Sequence, residues 1–536
     1  MSKGKTIVLT VIGILLLLSL MIGISYSLWR VNLFQTTANT LVTDCFNITF
    51  TEENNIELLN TYPMYDEDGS KLTPYTFTIK NNCASYATYE VRLEVLNTST
   101  LNDQYVKVML DTKSPNLLTN YSKGEITLEN AKASYILDNN ALDKNEEKTY
   151  NLRVWLDENV TLETEGVQNS TWSAKVTITA KYSDHLPSDY ELCVAKYGED
   201  SVNCNIIAQL DDTGSCPTVN ENGTVQVTNT ESTNSYLCSA PDDYGTSYYY
   251  RGNVENNWVK FANAYWRILR INGDDSIRMI YAGDANVIDS LDNKEEVLKN
   301  GYDDSTTKYT QIGTGAFNSS YNDNAYVGYM YGTPGSSTYE ETHANINDST
   351  LKKEIDEWYE NNIKDTEYES YISDTLFCND RSFYYTKPSS SYTNLGYGTE
   401  QTAYRAYTFT RSQGATLNCA QQNDRFTVSD ERIGNGDLTY SIGSLATDEA
   451  YLAGGYANNN SGYYLYTGNT YRTMSPCSFD NGSAAVRSVD SSGSAINRRA
   501  YVASSEGIRP VINLKPNSLN TGDGTASNPY QIQFSA

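Results

Sequence analysis

Histidine is scarce in this chain. Its 536 residues carry only His185 and His343, too little material to expect a Ser-His-Asp hydrolase or a His-ligated metal site. Cysteine is the other side chain with obvious chemistry, in nine copies. Cys193, Cys204, Cys216 and Cys238 fall between residues 185 and 243 among Asn, Thr, Ser, Gly and Asp. They lack the C-x-x-C pair that structural zinc favours, so disulfides are the expectation. Cys193–Cys204 and Cys216–Cys238 are the local pairings, and Cys45–Cys83 and Cys378–Cys419 would staple the flanking regions. Each closed loop contributes on the order of 3 kcal/mol. Cys477 is left over, and an inert surface thiol accounts for it more simply than a reactive one.

Other candidate chemistry thins out on inspection. Asp66-Glu67-Asp68-Gly69 is acidic enough to suggest calcium, but the EF-hand spacing is missing and a turn between strands explains it. No cofactor or metal is expected. Gly313, Gly315, Gly332 and Gly335 are not followed by the Gly-Lys-Ser/Thr of a phosphate loop. Acidic residues are too many for any pair to stand out as a glycosidase dyad. Tyr321 to Tyr326, continuing to Tyr329 and Tyr331, reads first as a tyrosine-rich strand with its turn, and alternatively as a sugar- or peptide-binding loop.

Ligand binding needs less machinery. Tyr464 to Leu514 has framework-like ends, Tyr464-Leu465-Tyr466 and Met474-Ser475-Pro476 on one side, Arg509-Pro510-Val511-Ile512-Asn513-Leu514 on the other. The run between them is small and polar, with Arg472 just before it and Arg487, Arg498, Arg499 and Tyr501 within it. Those five residues are the candidate contact surface, displayed from Ser478 to Glu506 on a rigid scaffold.

The elements that must position such a surface follow from patterning. Lys3 and Lys5 precede an apolar run from Ile7 to Ile24, which as a helix spans roughly 27 Å. This is a signal peptide or membrane anchor over residues 1–30, with Ser25-Tyr26-Ser27 in the small-x-small form of a cleavage site. Everything after Arg30 is expected outside the cell: at the external face of the membrane or in the cell wall, or secreted if the leader is cut. A net charge of −27 excludes nucleic acid as a partner. The 45 tyrosines against 12 phenylalanines suit surfaces that are both ordered and adhesive. From 31 to 184, Tyr75/Phe77/Ile79, Tyr89/Val91/Leu93/Val95, Leu152/Val154/Leu156 and Trp172/Ala174/Val176/Ile178/Ala180 alternate with polar residues, the signature of an antiparallel β-sandwich. Residues 185–242 read as a cysteine-bearing linker. From 243 to 536 the pattern is irregular α+β: Asn272-Gly273 predicts a hairpin, Asp348 or Ser349 caps a helix carrying Leu351, Ile355 and Trp358, and a short helix begins after Thr447.

Two resemblances sharpen this outline. The leader ending Ser25-Tyr26-Ser27-Leu28-Trp29, followed by Phe77-Thr78-Ile79-Lys80-Asn81-Asn82-Cys83, resembles the camelysin/TasA group of surface and biofilm-fibre proteins over roughly residues 1–183. The resemblance implies a jelly-roll-like domain; no H-E-x-x-H supports the protease activity claimed for camelysin. Residues 243–534 resemble a bacterial surface domain of uncharacterised activity, through Trp266-Arg267-Ile268-Leu269-Arg270-Ile271-Asn272-Gly273 and Arg509-Pro510-Val511-Ile512-Asn513-Leu514. That domain is similar to C-type-lectin-like and formylglycine-generating-enzyme-like folds. Arg472 stands where the family has Trp. Such folds host both binding and catalysis, and the displayed Ser478–Glu506 surface makes non-catalytic binding of an extracellular glycan or protein the expectation. Assembly into an extracellular fibre, or a Cys477-dependent oxidase, are the alternatives.

Overall fold

A computed structural model describes residues 62–534, with gaps at 84, 112–114, 159, 162–163, 165–166, 168–169, 184, 228–233, 301–309, 385–391, 408–413, 432, 456–459 and 496–497, and four short strands before residue 60. The apolar leader and Cys45 lie outside the described residues. Among the described residues no helix is long and apolar enough to cross a membrane. The chain divides into two compact units, residues 1–196 and 197–536.

The first unit is built of two six-stranded sheets. In one, Tyr86–Leu96 lies between Ala131–Leu142 and Thr171–Ser183, antiparallel to both. In the other, Glu147–Asp157 lies between Tyr75–Asn81 and Val106–Leu110. Phe77, Ile79, Val108, Leu152 and Val154 from one sheet meet Tyr89, Val91, Leu93, Trp172 and Val176 from the other in a single core. The alternating apolar residues are therefore the inner faces of a sandwich, as the pattern predicts. The polar partners are less exposed than alternation implies. Glu94 is fully buried and accepts from the Thr127 and Leu128 amides and from the Thr127 and Thr177 hydroxyls. Its charge is stabilised by that complete set of donors. The acidic Asp66–Ser70 segment forms a one-turn helix rather than a bare turn, and its Asp66 carboxylate is 2.7 Å from Lys107 Nζ. That ammonium provides the counter-charge a calcium ion would otherwise supply.

The expected linker is not one. Asp189–Tyr197 and Val202–Ile207 are helices, and Ser235–Asp242 is the edge strand of the second unit's main sheet, paired with Gly245–Gly252. The division at 196/197 therefore replaces a boundary at 243, which would cut this hairpin. Small polar composition concealed buried positions such as Cys204, Ile206 and Leu237.

In the second unit, a seven-stranded sheet runs Ser235–Asp242, Gly245–Gly252, Ala264–Ile271, Ile277–Asp284, Pro510–Leu514, Ile442–Ser444, with Trp258–Phe261 on the third strand. Asn272-Gly273 turns Ala264–Ile271 into Ile277–Asp284, and a Cβ on Gly273 would lie 2.4 Å from the Gly245 nitrogen. The two sequence motifs adjoin the same strand, Ile277–Asp284, and are bonded directly: Asn272 Nδ2 donates to Asn513 Oδ1 at 3.1 Å. Ser349 caps the helix Thr350–Asn362 by accepting from the Lys352 amide, and Thr447–Ala453 is helical. A second, six-stranded sheet runs Gly313–Gly315, Glu506–Ile508, Tyr471–Asp480, Ser483–Val489, Arg498–Tyr501, with Thr402–Ala403 on the third strand.

Cys216–Cys238 and Cys378–Cys419 form disulfides, and Cys83, Cys193 and Cys204 are each disulfide-bonded as well. Cys477 is the free thiol, and it is buried in the strand Tyr471–Asp480 rather than at the surface.

Candidate functional site

The expected display loop is mostly framework. Ser483–Val489 is almost wholly buried, and the tight turn before it uses Asn481 and Gly482 with φ of +51° and +74°, the left-handed pair that two-residue hairpins favour. Arg472 is completely buried. Its guanidinium lies 3.4 Å from the Glu506 carboxylate and donates to the Tyr501 and Ser504 carbonyls. Arg472 is therefore a structural cation inside the sheet, which excludes it as a contact residue. Arg487, only 7% exposed, donates to the Ala406 and Tyr407 carbonyls, so it too leaves the contact set. The Arg498 side chain lies outside what the structure describes.

Arg499 and Tyr501 remain. They sit on Arg498–Tyr501, the outermost strand of the six-stranded sheet among the described strands, paired only with Ser483–Val489. Tyr501 is 51% exposed. The Arg499 guanidinium lies 5.5 Å from the Tyr501 ring centroid and 2.9 Å from Asp480 Oδ2, so Asp480 holds the cation beside the ring. The tyrosine-rich segment comes to the same place. Ala484 N–H donates to the Tyr321 carbonyl at 2.7 Å, while the Ala484 carbonyl accepts from Val502 N–H at 3.1 Å. Ala484 thus bridges the Tyr321 segment to the residue following Tyr501. Tyr321 is 50% exposed. Tyr501, Arg499 and Asp480 make a patch suited to stacking and neutral hydrogen bonding, with the Tyr321 backbone joined to the neighbouring strand.

A second constellation lies inside. Arg270, Arg278, Asp380, Arg405, Asp448 and Glu449 surround a cavity of about 20 Å³ beside the Cys378–Cys419 bridge, enough for one water. Arg270 pairs with Asp242 at 2.8 Å and with Glu449 at 3.4 Å, Arg278 pairs with Glu449, and Arg405 joins Asp380 and Asp448. Burial pushes Asp380 and Glu449 up, but their arginines outweigh it and hold both below the ordinary range; at Asp448 burial prevails and the carboxyl is raised. Opposite charges share this interior in mutual hydrogen bonds, an arrangement that fixes geometry. Asp448 and Glu449 lie in the first turn of the helix Thr447–Ala453, where acidic residues need no buried partner to explain them. The missed signal was Arg267 and Arg270 within an otherwise apolar strand, since buried guanidinium demands buried partners.

His343 is fully buried, its Nε2 2.9 Å from the Gly396 carbonyl and its ring 4.4 Å from that of Tyr339. Burial and then the nearby Arg381 hold it well below the ordinary histidine range. His185 is an exposed partner of Glu191. The described residues contain no group of His, Cys, Asp or Glu that could hold a metal ion. No protein-family model matches the chain, and a search of curated proteins finds no significant match.

Proposed function

We propose that this chain is an exported bacterial cell-surface protein that binds an extracellular glycan or protein without catalysis, through its second unit. The leader would tether it to the membrane or be cut off, the sandwich would act as a stalk in the manner of camelysin/TasA-type domains, and the second unit would display its ligand face as C-type-lectin-like folds do. The observation that carries this reading is that Tyr321 and Tyr501, both half-exposed, come from distant parts of the sequence to segments whose backbones are joined through Ala484. Disulfides among the described residues favour an oxidising compartment.

The test is a glycan and host-protein array probed with the purified full chain, repeated with Tyr321→Ala/Arg499→Ala/Tyr501→Ala. Specific binding by the native chain, lost in the triple variant at unchanged circular dichroism, is the expected result. Binding that survives the triple variant overturns the assignment to this patch, and the absence of any ligand across both arrays overturns the binding function.

A further inference from the structure

The first unit holds a second, chemically distinct arrangement. Lys107 lies mid-strand in Val106–Leu110, opposite Trp155 on Glu147–Asp157. Its neighbours Val106 and Val108 belong to the sandwich core, so Lys107 and Trp155 point to the outer face. The helix Asp66–Ser70 covers them closely enough that a Cβ on Gly69 would sit 2.3 Å from the Trp155 ring. Under this cover Lys107 is 8% exposed, and the Trp155 indole is fully buried with no hydrogen-bond partner for its N–H.

Three carboxylates converge on that one ammonium. Lys107 Nζ is 2.7 Å from Asp66 Oδ1, 2.7 Å from Glu158 Oε2 and 3.3 Å from Asp157 Oδ2. From the geometry we propose that Lys107 and Asp66 condense into an intramolecular isopeptide bond, with Glu158 and Asp157 as the proton-transfer groups. The reaction needs a neutral amine and a neutral carboxyl. One ammonium against three carboxylates leaves negative charge in excess, which favours protonation of a carboxyl in this half-dry site. Burial raises the Asp66 carboxyl, and Glu158 and Asp157 add to that against the opposing pull of Lys107. Burial pulls the Lys107 ammonium down, but Asp66 and Glu158 outweigh it and hold it above the ordinary lysine range, so the amine becomes free only as its proton passes to Glu158. The nitrogen lone pair then attacks Asp66 Cγ, a C–N bond forms, and the C–O bond breaks as the hydroxyl takes a proton and departs as water. No oxidant or co-reactant is required.

Position makes the step feasible. Lys107 is fixed by a central strand and Asp66 by the start of a helix packed on Trp155, and a hydrogen-bonded nitrogen is already near attack distance from the carboxyl carbon. Held geometries of this kind reach effective molarities of roughly 10⁵–10⁸ M. The product would weld the surface helix to the sheet covalently. It would also remove the cation from beside Asp157 and Glu158.

Peptide mapping of the purified, reduced full chain tests this directly. The expected result is a branched peptide joining the Lys107 and Asp66 segments, lighter by one water than the sum of its parts and uncut by trypsin at Lys107. Lys107→Arg should abolish the branched species while keeping the positive charge. Glu158→Gln should leave most chains unlinked at unchanged circular dichroism. Linear peptides cut after Lys107 in the native protein overturn the proposal, as does a one-water deficit that persists in Lys107→Arg.

Discussion

Replacing Arg472 with Met is the sharpest test of the idea that the polar insert is framework. Arg472 is fully buried, and its main partner Glu506 is 5% exposed, also accepting from the Ser488 hydroxyl. Met preserves most of the apolar stem but removes the cation and the donors to the Tyr501 and Ser504 carbonyls. The buried Glu506 carboxylate then loses the Arg472 guanidinium, and breaking one side of such a pair costs about 3–5 kcal/mol. The second unit has 340 residues, so at roughly 2 cal/mol/K of unfolding entropy per residue the expected fall in Tm is about 4–7 °C. Differential scanning calorimetry on the full chain reads this as a shift of the second unit's transition. Arg472→Met/Glu506→Gln should recover at least half of the loss, because the stranded charge is removed as well. A single variant that falls by less than about 1 °C, or a double variant no better than the single, refutes the argument that a buried ion pair organises this sheet.

Three further outcomes follow from the same structure. His343 is neutral when folded, with its pKa held below the ordinary 6.5, so the unfolded chain takes up a proton that the folded one refuses. Its contribution to stability is complete above about pH 6.5 and is lost as pH falls from there toward the folded value, by up to ~1.4 kcal/mol per pH unit; His343→Gln should flatten that slope in denaturant titrations between pH 6.5 and 5. Cys477, being buried, should resist iodoacetamide in the native protein and alkylate on unfolding, and rapid native labelling followed by mass spectrometry would contradict its placement. Ligand attachment through the Tyr321–Tyr501 patch should change by less than about twofold between ~50 and ~500 mM salt, since Arg499 is already paired with Asp480; a steep salt dependence in surface plasmon resonance would return the arginines to the contact set.

What could be read in advance was local or periodic. The Asn272-Gly273 hairpin depends on two residues, the Ser349 cap on one hydroxyl and an amide three residues on, and the inner faces of the sandwich on a period of two. Cys216–Cys238 and Cys378–Cys419 followed from proximity in sequence. The errors have a common physical source. Arg472 and Arg487 looked like surface residues because arginine usually is, yet their burial depends on Glu506 and on the Ala406 and Tyr407 carbonyls, the last two about 80 residues away. The stretch from 185 to 242 looked like linker because small polar residues dominate it, although Ser235–Asp242 completes a sheet edge. Sequence composition reports a residue's average preference. It does not report which distant acceptor is waiting for it.

That same preference for inward-facing charge shapes what is left outside. Arg270, Arg278, Arg381, Arg405, Arg472 and Arg487 are all taken into the second unit's interior, where carboxylates and carbonyls engage them. They are buried together with Asp242, Asp380, Asp424, Asp448, Glu449 and Glu506, so the interior is charge-balanced and the exterior keeps the negative balance of a chain with a net charge of −27. Long-range attraction of an anionic ligand is then weak, and like-charge repulsion would oppose it. A patch that binds under those conditions must rely on ring stacking and neutral hydrogen bonds, for which Tyr321 and Tyr501 have the right chemistry and exposure. Under the proposed binding function, specificity at such a patch would come from shape and aromatic contact rather than from long-range charge.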